Sequence, residues 1–174
     1  MDEYVKLAKE TVKTYLKTRE ILEIPSNLSK KMLRERAGVF VSIHTKSGEL
    51  RGCIGTFLPT QKNLAQEIIR NALAAAFDDP RFPPITEKEL KDLVFSVDVL
   101  SQPKKLDARS FNLNPKQYGL IVSTLDGRRS LLLPDIPGVE TTEQQIAICR
   151  QKAGISPEER IELQTFTVER HEEK

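Results

Sequence analysis

The 174-residue chain has no tryptophan, only two cysteines and only two histidines. Cys53 and Cys149 stand far apart, which excludes a disulfide scaffold and leaves no cysteine pair at zinc-ligand spacing. His44 and His171 are too few and too scattered for an ordinary metal site, so we expect no metal. Charge of one sign is also missing. Lys plus Arg is 27 and Asp plus Glu is 25, a formal net charge of +2. That balance removes the strong electrostatic pull of a dedicated nucleic-acid binder. No apolar run approaches the ~18 residues of a membrane-spanning helix. The opening residues, Met1 to Lys6, are charged and lack the apolar core of a secretory signal. The expectation is a cytoplasmic protein with reduced thiols and no membrane contact. No glycine-rich loop joins a strand to a helix at dinucleotide or P-loop spacing, so no nucleotide cofactor is expected.

What is present is enough for a real core: 39% apolar and 30% charged residues in a length that suits one domain. Residues 2–22 place Tyr4, Leu7, Ala8, Thr11, Val12, Tyr15 and Leu16 on one helical face, and Pro25 ends the element. A short helix is expected around Leu28–Arg36. Val39, Val41 and Ile43 then alternate, Lys46-Ser47-Gly48 makes a turn, and residues 49–58 alternate again, which spells a β-hairpin. A helix over Asn63–Phe77 follows, its small residues implying close packing on a sheet. Three prolines stiffen the loop over residues 78–84. Thr86 and Glu89 form a capping-box pattern for a short helix through Leu93.

A strand runs over Leu93–Leu100, and residues 102–115 read as irregular. Two further strands flank Asp126-Gly127, a dipeptide suited to a tight hairpin turn. Thr141 and Gln144, or Thr142 and Gln145, cap a helix to Ala153, with Gly154 as its stop. In the last strand, residues 160–170, the apolar phase shifts from Ile161 and Leu163 to Phe166 and Val168. That shift predicts a bulge near Gln164-Thr165. The order argues an α+β fold with a largely antiparallel sheet, in a single domain over residues 1–174.

The least ordinary segment is Leu50-Arg51-Gly52-Cys53-Ile54-Gly55-Thr56, a strand that carries two glycines despite their cost there. Alternation puts Leu50, Gly52, Ile54 and Thr56 on one face and Arg51, Cys53 and Gly55 on the other. A thiol then sits between a guanidinium and a gap at Gly55, where a ligand could approach. An arginine beside a thiol favours the thiolate. The plainer alternative is a buried cysteine acting as a small hydrophobe, with glycines that serve packing. Arg51 could equally pair with a carboxylate, and Asp98 on another strand is one candidate. Arg81 either contacts an anion or pairs with Asp78 or Asp79. His44 reads as a partly exposed strand residue and Cys149 as a core thiol. Lys30, Lys31, Arg34 and Arg36 form a modest basic cluster, most simply a solvated face.

The heptad resembles the signature of the AMMECR-type domain family, which includes the A component of AmmeMemoRadiSam systems. The resemblance continues through Gly38–Val41, Ala75–Pro84, Val97–Ser101, Tyr118–Val122, Leu131–Pro134 and Cys149–Ile155, nearly the whole chain. It implies an α+β fold of a larger and a smaller lobe, with residues 50–56 lining a cleft. It also implies an accessory role in a modification pathway beside a Memo-type protein and a radical S-adenosylmethionine protein; RNA-related roles have been suggested for the family. Asp98 stands where serine is more usual, and a tryptophan often found before the helix at Thr141 is absent. The expected function is an accessory or binding component whose ligand or partner meets Leu50, Gly52, Ile54, Gly55, Thr56 and Arg81. One alternative is an enzyme with Cys53 as nucleophile or covalent carrier and Arg51 as its support; another is an RNA-binding module.

Overall fold

The structure is a computed structural model that describes residues 2–106 and 113–173. It divides into two compact units, the first of residues 1–100 and 169–174 and the second of residues 101–168.

In the first unit, α1 (Glu3–Thr18) begins where the Asp2 side chain accepts from the Tyr4 N–H, a satisfied N-cap. Tyr4, Leu7, Ala8, Thr11 and Val12 are buried, as their spacing predicts. The helix stops four residues before the predicted end, because Arg19 turns left-handed (φ 62°) and its N–H bonds the Tyr15 carbonyl. A five-residue α2 (Lys30–Arg34) follows, capped by Ser29. The hairpin forms as expected from β1 (Val39–Thr45) and β2 (Leu50–Thr56). α3 (Leu64–Phe77) is capped by Asn63. The helix predicted from Thr86 to Leu93 is instead a three-residue 3-10 turn at Leu90–Asp92. Glu89 does not close an α-helical cap; both Thr86 N–H and Thr86 Oγ1 donate to it at 2.8 Å, and its other bonds go to Arg51. β3 (Leu93–Leu100) then pairs with β1.

In the second unit β4 (Lys104–Lys105) is a two-residue strand inside the stretch read as irregular, part of which lies outside the described residues. β5 (Gly119–Ser123) and β6 (Arg129–Leu132) flank the turn, where Gly127 takes a φ of +90°. α4 (Thr142–Ala153) carries the full capping box of Thr141 and Gln144 and ends on Gly154 in the left-handed region. β7 (Glu162–Phe166) pairs with β5, and β8 (Val168–Glu172) closes the chain.

The two sheets are antiparallel, in the orders β2-β1-β3-β8 and β4-β7-β5-β6, which makes the fold α+β. The expected bulge at Gln164-Thr165 is absent: these residues pair regularly with Ile121 and Leu120. The phase shift has another cause. Leu163 and Phe166 are both buried in the evenly paired β7 and stand an odd number of residues apart, so the strand buries an apolar side chain on each face, Phe166 against Gly119. In the first unit the core gathers Val5, Val12, Val41, Ile43, Ile68, Ala72, Phe95 and Val97, all fully buried. In the second, Leu120, Val122, Leu163, Ile155 and Cys149 pack together.

Candidate functional site

β2 is the outermost strand of its sheet. Its alternation is the one read from sequence. Gly52, Ile54 and Thr56 face the layer of α3, while Arg51, Cys53 and Gly55 face the other way. Gly52 is fully committed to packing: a Cβ there would stand 2.1 Å from the Ala75 carbonyl oxygen on α3. Ile54 packs against the same core, and Leu50, at the strand's start, is 37% exposed.

Two expectations for the outward face need correction. The space beside Gly55 is filled, because a Cβ there would stand 2.3 Å from the Phe40 ring carried by the neighbouring strand. The glycine makes room for that ring. Nor does Arg51 support the thiol. Its Nε donates to Glu89 Oε1 at 2.9 Å and its Nη1 to the Pro83 carbonyl at 2.8 Å. Arg51 therefore ties the strand to the proline loop, and the same bond, with those from Thr86, holds the Glu89 carboxyl below its ordinary range. Asp98, the other candidate partner, pairs with Arg170 of β8 at 2.8 Å.

Arg81 is the guanidinium that reaches Cys53. Its Nη2 donates to the Cys53 carbonyl at 3.2 Å and to Asp79 Oδ2 at 2.8 Å, while its Nε meets Asp79 Oδ1 at 3.0 Å. The Cys53 N–H donates to Asp79 Oδ2 at 2.9 Å. An aspartate and an arginine two residues apart thus satisfy the backbone groups that a further strand would take, which seals the middle of an open edge. Asp79 is 3% exposed. The Arg81 bond, the Cys53 N–H and the Arg81 N–H together hold its carboxyl far below the usual carboxylate range, against the opposing pull of burial. That bond in turn raises Arg81, to which the nearby Cys53 side chain adds. On the other side of the half-buried sulfur, Ser42 Oγ donates to Sγ at 3.2 Å.

Below the strand lies a polar network that the sequence reading missed. Glu67, 1% exposed on α3, accepts from Thr56 Oγ1 at 2.7 Å, Thr60 Oγ1 at 2.8 Å and the N–H groups of Thr60 and Gln61 at 2.7 Å each. Burial pulls its carboxyl up, yet these donors outweigh it and leave the group lowered. Asn71, one turn on, donates to the Val39 carbonyl at 2.9 Å and to Thr56 Oγ1 at 3.2 Å. The signal was available: two polar residues four apart on the otherwise apolar stripe of α3. Thr56 thus serves the interior, and the network anchors the loop that leaves β2. His44 is partly exposed and Cys149 fully buried, as read from sequence. Part of the basic cluster is engaged, Lys31 with Glu169 and Arg36 with the Gln61 carbonyl.

These features describe a two-sheet α+β protein with a sealed edge strand and a thiol beside a fixed arginine. The AMMECR1 family model matches residues 5–171, and the chain belongs to that family. It is 47% identical to a Thermotoga maritima protein over 97% of this chain and 96% of that one. It is also 47% identical, over 99% of its length, to Protein CA_C1420 of Clostridium acetobutylicum, of which it covers only 36%. The crystal structure of uncharacterized protein PH0010 from Pyrococcus horikoshii superposes with a TM-score of 0.88 at 33% identity, covering 98% of this chain and 90% of that one.

Proposed function

We propose that this chain is an accessory or binding component that recognises its ligand or partner on the outward face of β2, around Cys53 and Arg81. The observation that carries the reading is the Asp79–Arg81 clamp. A buried carboxylate holds a side chain that is 54% exposed, so a charged donor is presented in one fixed place beside a half-buried thiol. A preorganised donor loses little freedom on binding, which is where recognition gains affinity. Arg51, Gly52, Gly55 and Thr56 build and hold this surface, and Leu50 borders it.

A protein partner is the favoured occupant. In Protein CA_C1420 nearly two thirds of the polypeptide lies outside the match. A domain that is joined to further chain in one organism is suited to work beside a separate protein in another. The family resemblance gives that partner a class, a Memo-type or radical S-adenosylmethionine protein acting in a modification pathway. RNA is disfavoured, since Arg51 and Lys31 are already matched by Glu89 and Glu169. Co-purification of this chain with the Memo-type and radical S-adenosylmethionine proteins of its own organism tests the reading. Arg81→Gln should weaken capture while Cys53→Ala leaves it intact; capture indifferent to Arg81→Gln would sink the proposal.

A second reading rests on Ser42. Its hydroxyl at 3.2 Å from Sγ gives Cys53 a polar neighbour on the same face, and His44 lies two residues further along that strand. Under this reading Cys53 is the nucleophile or covalent carrier. Loss of a measured activity in Cys53→Ser, with capture retained, would favour it over the first.

A further inference from the structure

The clamp leaves one part of Arg81 uncommitted. Its main-chain N–H, Nε and Nη2 all meet Asp79, and Nη2 also meets the Cys53 carbonyl. Nη1 donates to no oxygen of the described residues, and the guanidinium packs over the Phe82 ring, 5.5 Å from its centre. The group is fixed on one edge by Asp79, lies beside the Cys53 side chain and is otherwise 54% exposed. Charge around it is balanced in pairs, Arg81 with Asp79 and Arg51 with Glu89. A dianion or a polyphosphate backbone finds no excess of positive charge here. A single carboxylate meets one open guanidinium edge, at hydrogen-bonding distance and without a second cation.

Resting on the reading of this face as the recognition surface, we infer that the open edge of Arg81 is a carboxylate-binding subsite placed beside the Cys53 sulfur. The ligand class is a monocarboxylate whose neighbouring carbon lies over Sγ, either a small acid or an acidic side chain of a partner. The preference for one carboxylate follows from there being a single exposed guanidinium edge, and the position from the Asp79 clamp. Phe40, filling the place of a side chain at Gly55, makes the apolar floor on the other flank.

Paired alkylating reagents test this directly. Iodoacetate carries a carboxylate directly on its electrophilic carbon; iodoacetamide is its neutral counterpart of similar shape. In each reaction sulfur forms a bond to carbon as iodide leaves, and the thiol proton goes to solvent. The rate at Cys53 is followed by peptide mass spectrometry, and the ratio of iodoacetate to iodoacetamide rates is compared between folded protein and protein unfolded in urea. The subsite should raise the ratio about three- to tenfold in the folded chain, the range of one partly solvated charge-assisted hydrogen bond. Arg81→Gln should return it to the unfolded value, while Arg81→Lys keeps part of it. Iodoacetamide rates serve as the control for exposure of the sulfur, and circular dichroism for folding of the variants. Inorganic phosphate should slow iodoacetate labelling less than acetate does at equal ionic strength. Equal ratios in folded and unfolded protein overturn the inference, as does a Cys53 that neither reagent labels before unfolding. A stronger effect of phosphate than of acetate overturns the carboxylate class. Partner capture lost in Arg81→Gln alongside an unchanged alkylation ratio would remove the subsite and leave the recognition surface standing.

Discussion

Gly52 and Ala75 touch backbone to backbone: a methyl group on Gly52 would stand 2.1 Å from the Ala75 carbonyl oxygen. The contact is between a strand and a helix interior, so neither side can swing aside. Gly52→Ala must push α3 off the sheet or bend β2, and should destabilise the chain by about 3 kcal/mol, the upper range of overpacking. Gly127→Ala is the comparison, since its Cβ meets nothing within 4 Å and its cost comes from a φ of +90° alone. That strain is about 1–2 kcal/mol. Urea unfolding followed by circular dichroism ranks the two. An equal or smaller loss for Gly52→Ala would show that the helix yields easily.

Asp79 makes the edge seal sensitive to acid. The Arg81 bond is the largest cause holding its carboxyl down, with the Cys53 and Arg81 N–H groups adding to it and burial opposing. A carboxyl depressed in the folded chain adds stability above its unfolded pKa of about 4, and that stability is lost as pH falls from there toward the folded value. Glu67, also lowered, acts in the same direction. Melting temperature should therefore fall steadily below about pH 4. Asp79→Asn should cost about 2 kcal/mol at pH 7, because the buried amide turns an N–H group toward donors that the carboxylate accepts from, the Cys53 N–H and the Arg81 guanidinium. It should also flatten the acid slope, and pH-dependent melting of the two proteins checks both points. An unchanged slope in Asp79→Asn would assign the acid sensitivity to Glu67 and the other carboxylates.

Apolar alternation and cap residues made most of the architecture readable, because helix and strand periods are local properties. The cap of Thr141 with Gln144 needed no distant information. The early stop of α1 at Arg19 is a local matter, but other failures lie where a distant segment decides. The apolar phase shift between Leu163 and Phe166 marks a strand buried on both faces, and only its packing partners separate that from a bulge. Arg51 sits beside Cys53 in sequence, yet an outward residue on an edge strand pairs with whatever loop runs past it. Here that loop is residues 83–89, and the arginine at the thiol comes from the same excursion at Arg81. The clamp had a legible half, since the pairing of Arg81 with Asp78 or Asp79 follows from proximity. That Asp79 also takes the Cys53 N–H did not, because nothing local says which loop covers the edge of β2.

Cys149 reports on the second unit alone. It is fully buried among Leu120, Val122 and Ile155, and burial pushes its thiol up from the ordinary value. Both effects suppress alkylation, so labelling at neutral pH should wait for opening of that unit. In increasing urea, the onset of Cys149 labelling should follow loss of the second unit's structure, while Cys53 reacts earlier. Cys149→Ala should cost about 1 kcal/mol and Cys149→Ser more, because a hydroxyl there replaces a weakly polar sulfur in an apolar setting. Native labelling of Cys149 at the rate of Cys53 would show that the second unit opens freely.

The pair of Asp98 and Arg170 fastens the last strand across the sheet. Asp98 Oδ1 accepts from Arg170 Nε at 2.8 Å and Oδ2 from Nη2 at 3.1 Å, a two-pronged pair. The carboxylate side chain is 6% exposed and the arginine 37%, so loss of the arginine strands a buried charge. Arg170→Met should then cost about 3 kcal/mol, near the range for breaking one side of a buried pair. Replacing both residues, Asp98→Val with Arg170→Met, should restore most of the loss, since an apolar pair of this size avoids the desolvation of two ions. Urea midpoints for the three proteins give the coupling energy between the residues. A double variant no better than Arg170→Met would mean that the aspartate is not the group left stranded. The strand would then be held by its backbone pairing with β3 and by the contacts at the chain ends, where His171 Nδ1 meets Asp2 at 2.9 Å and stacks on Tyr4.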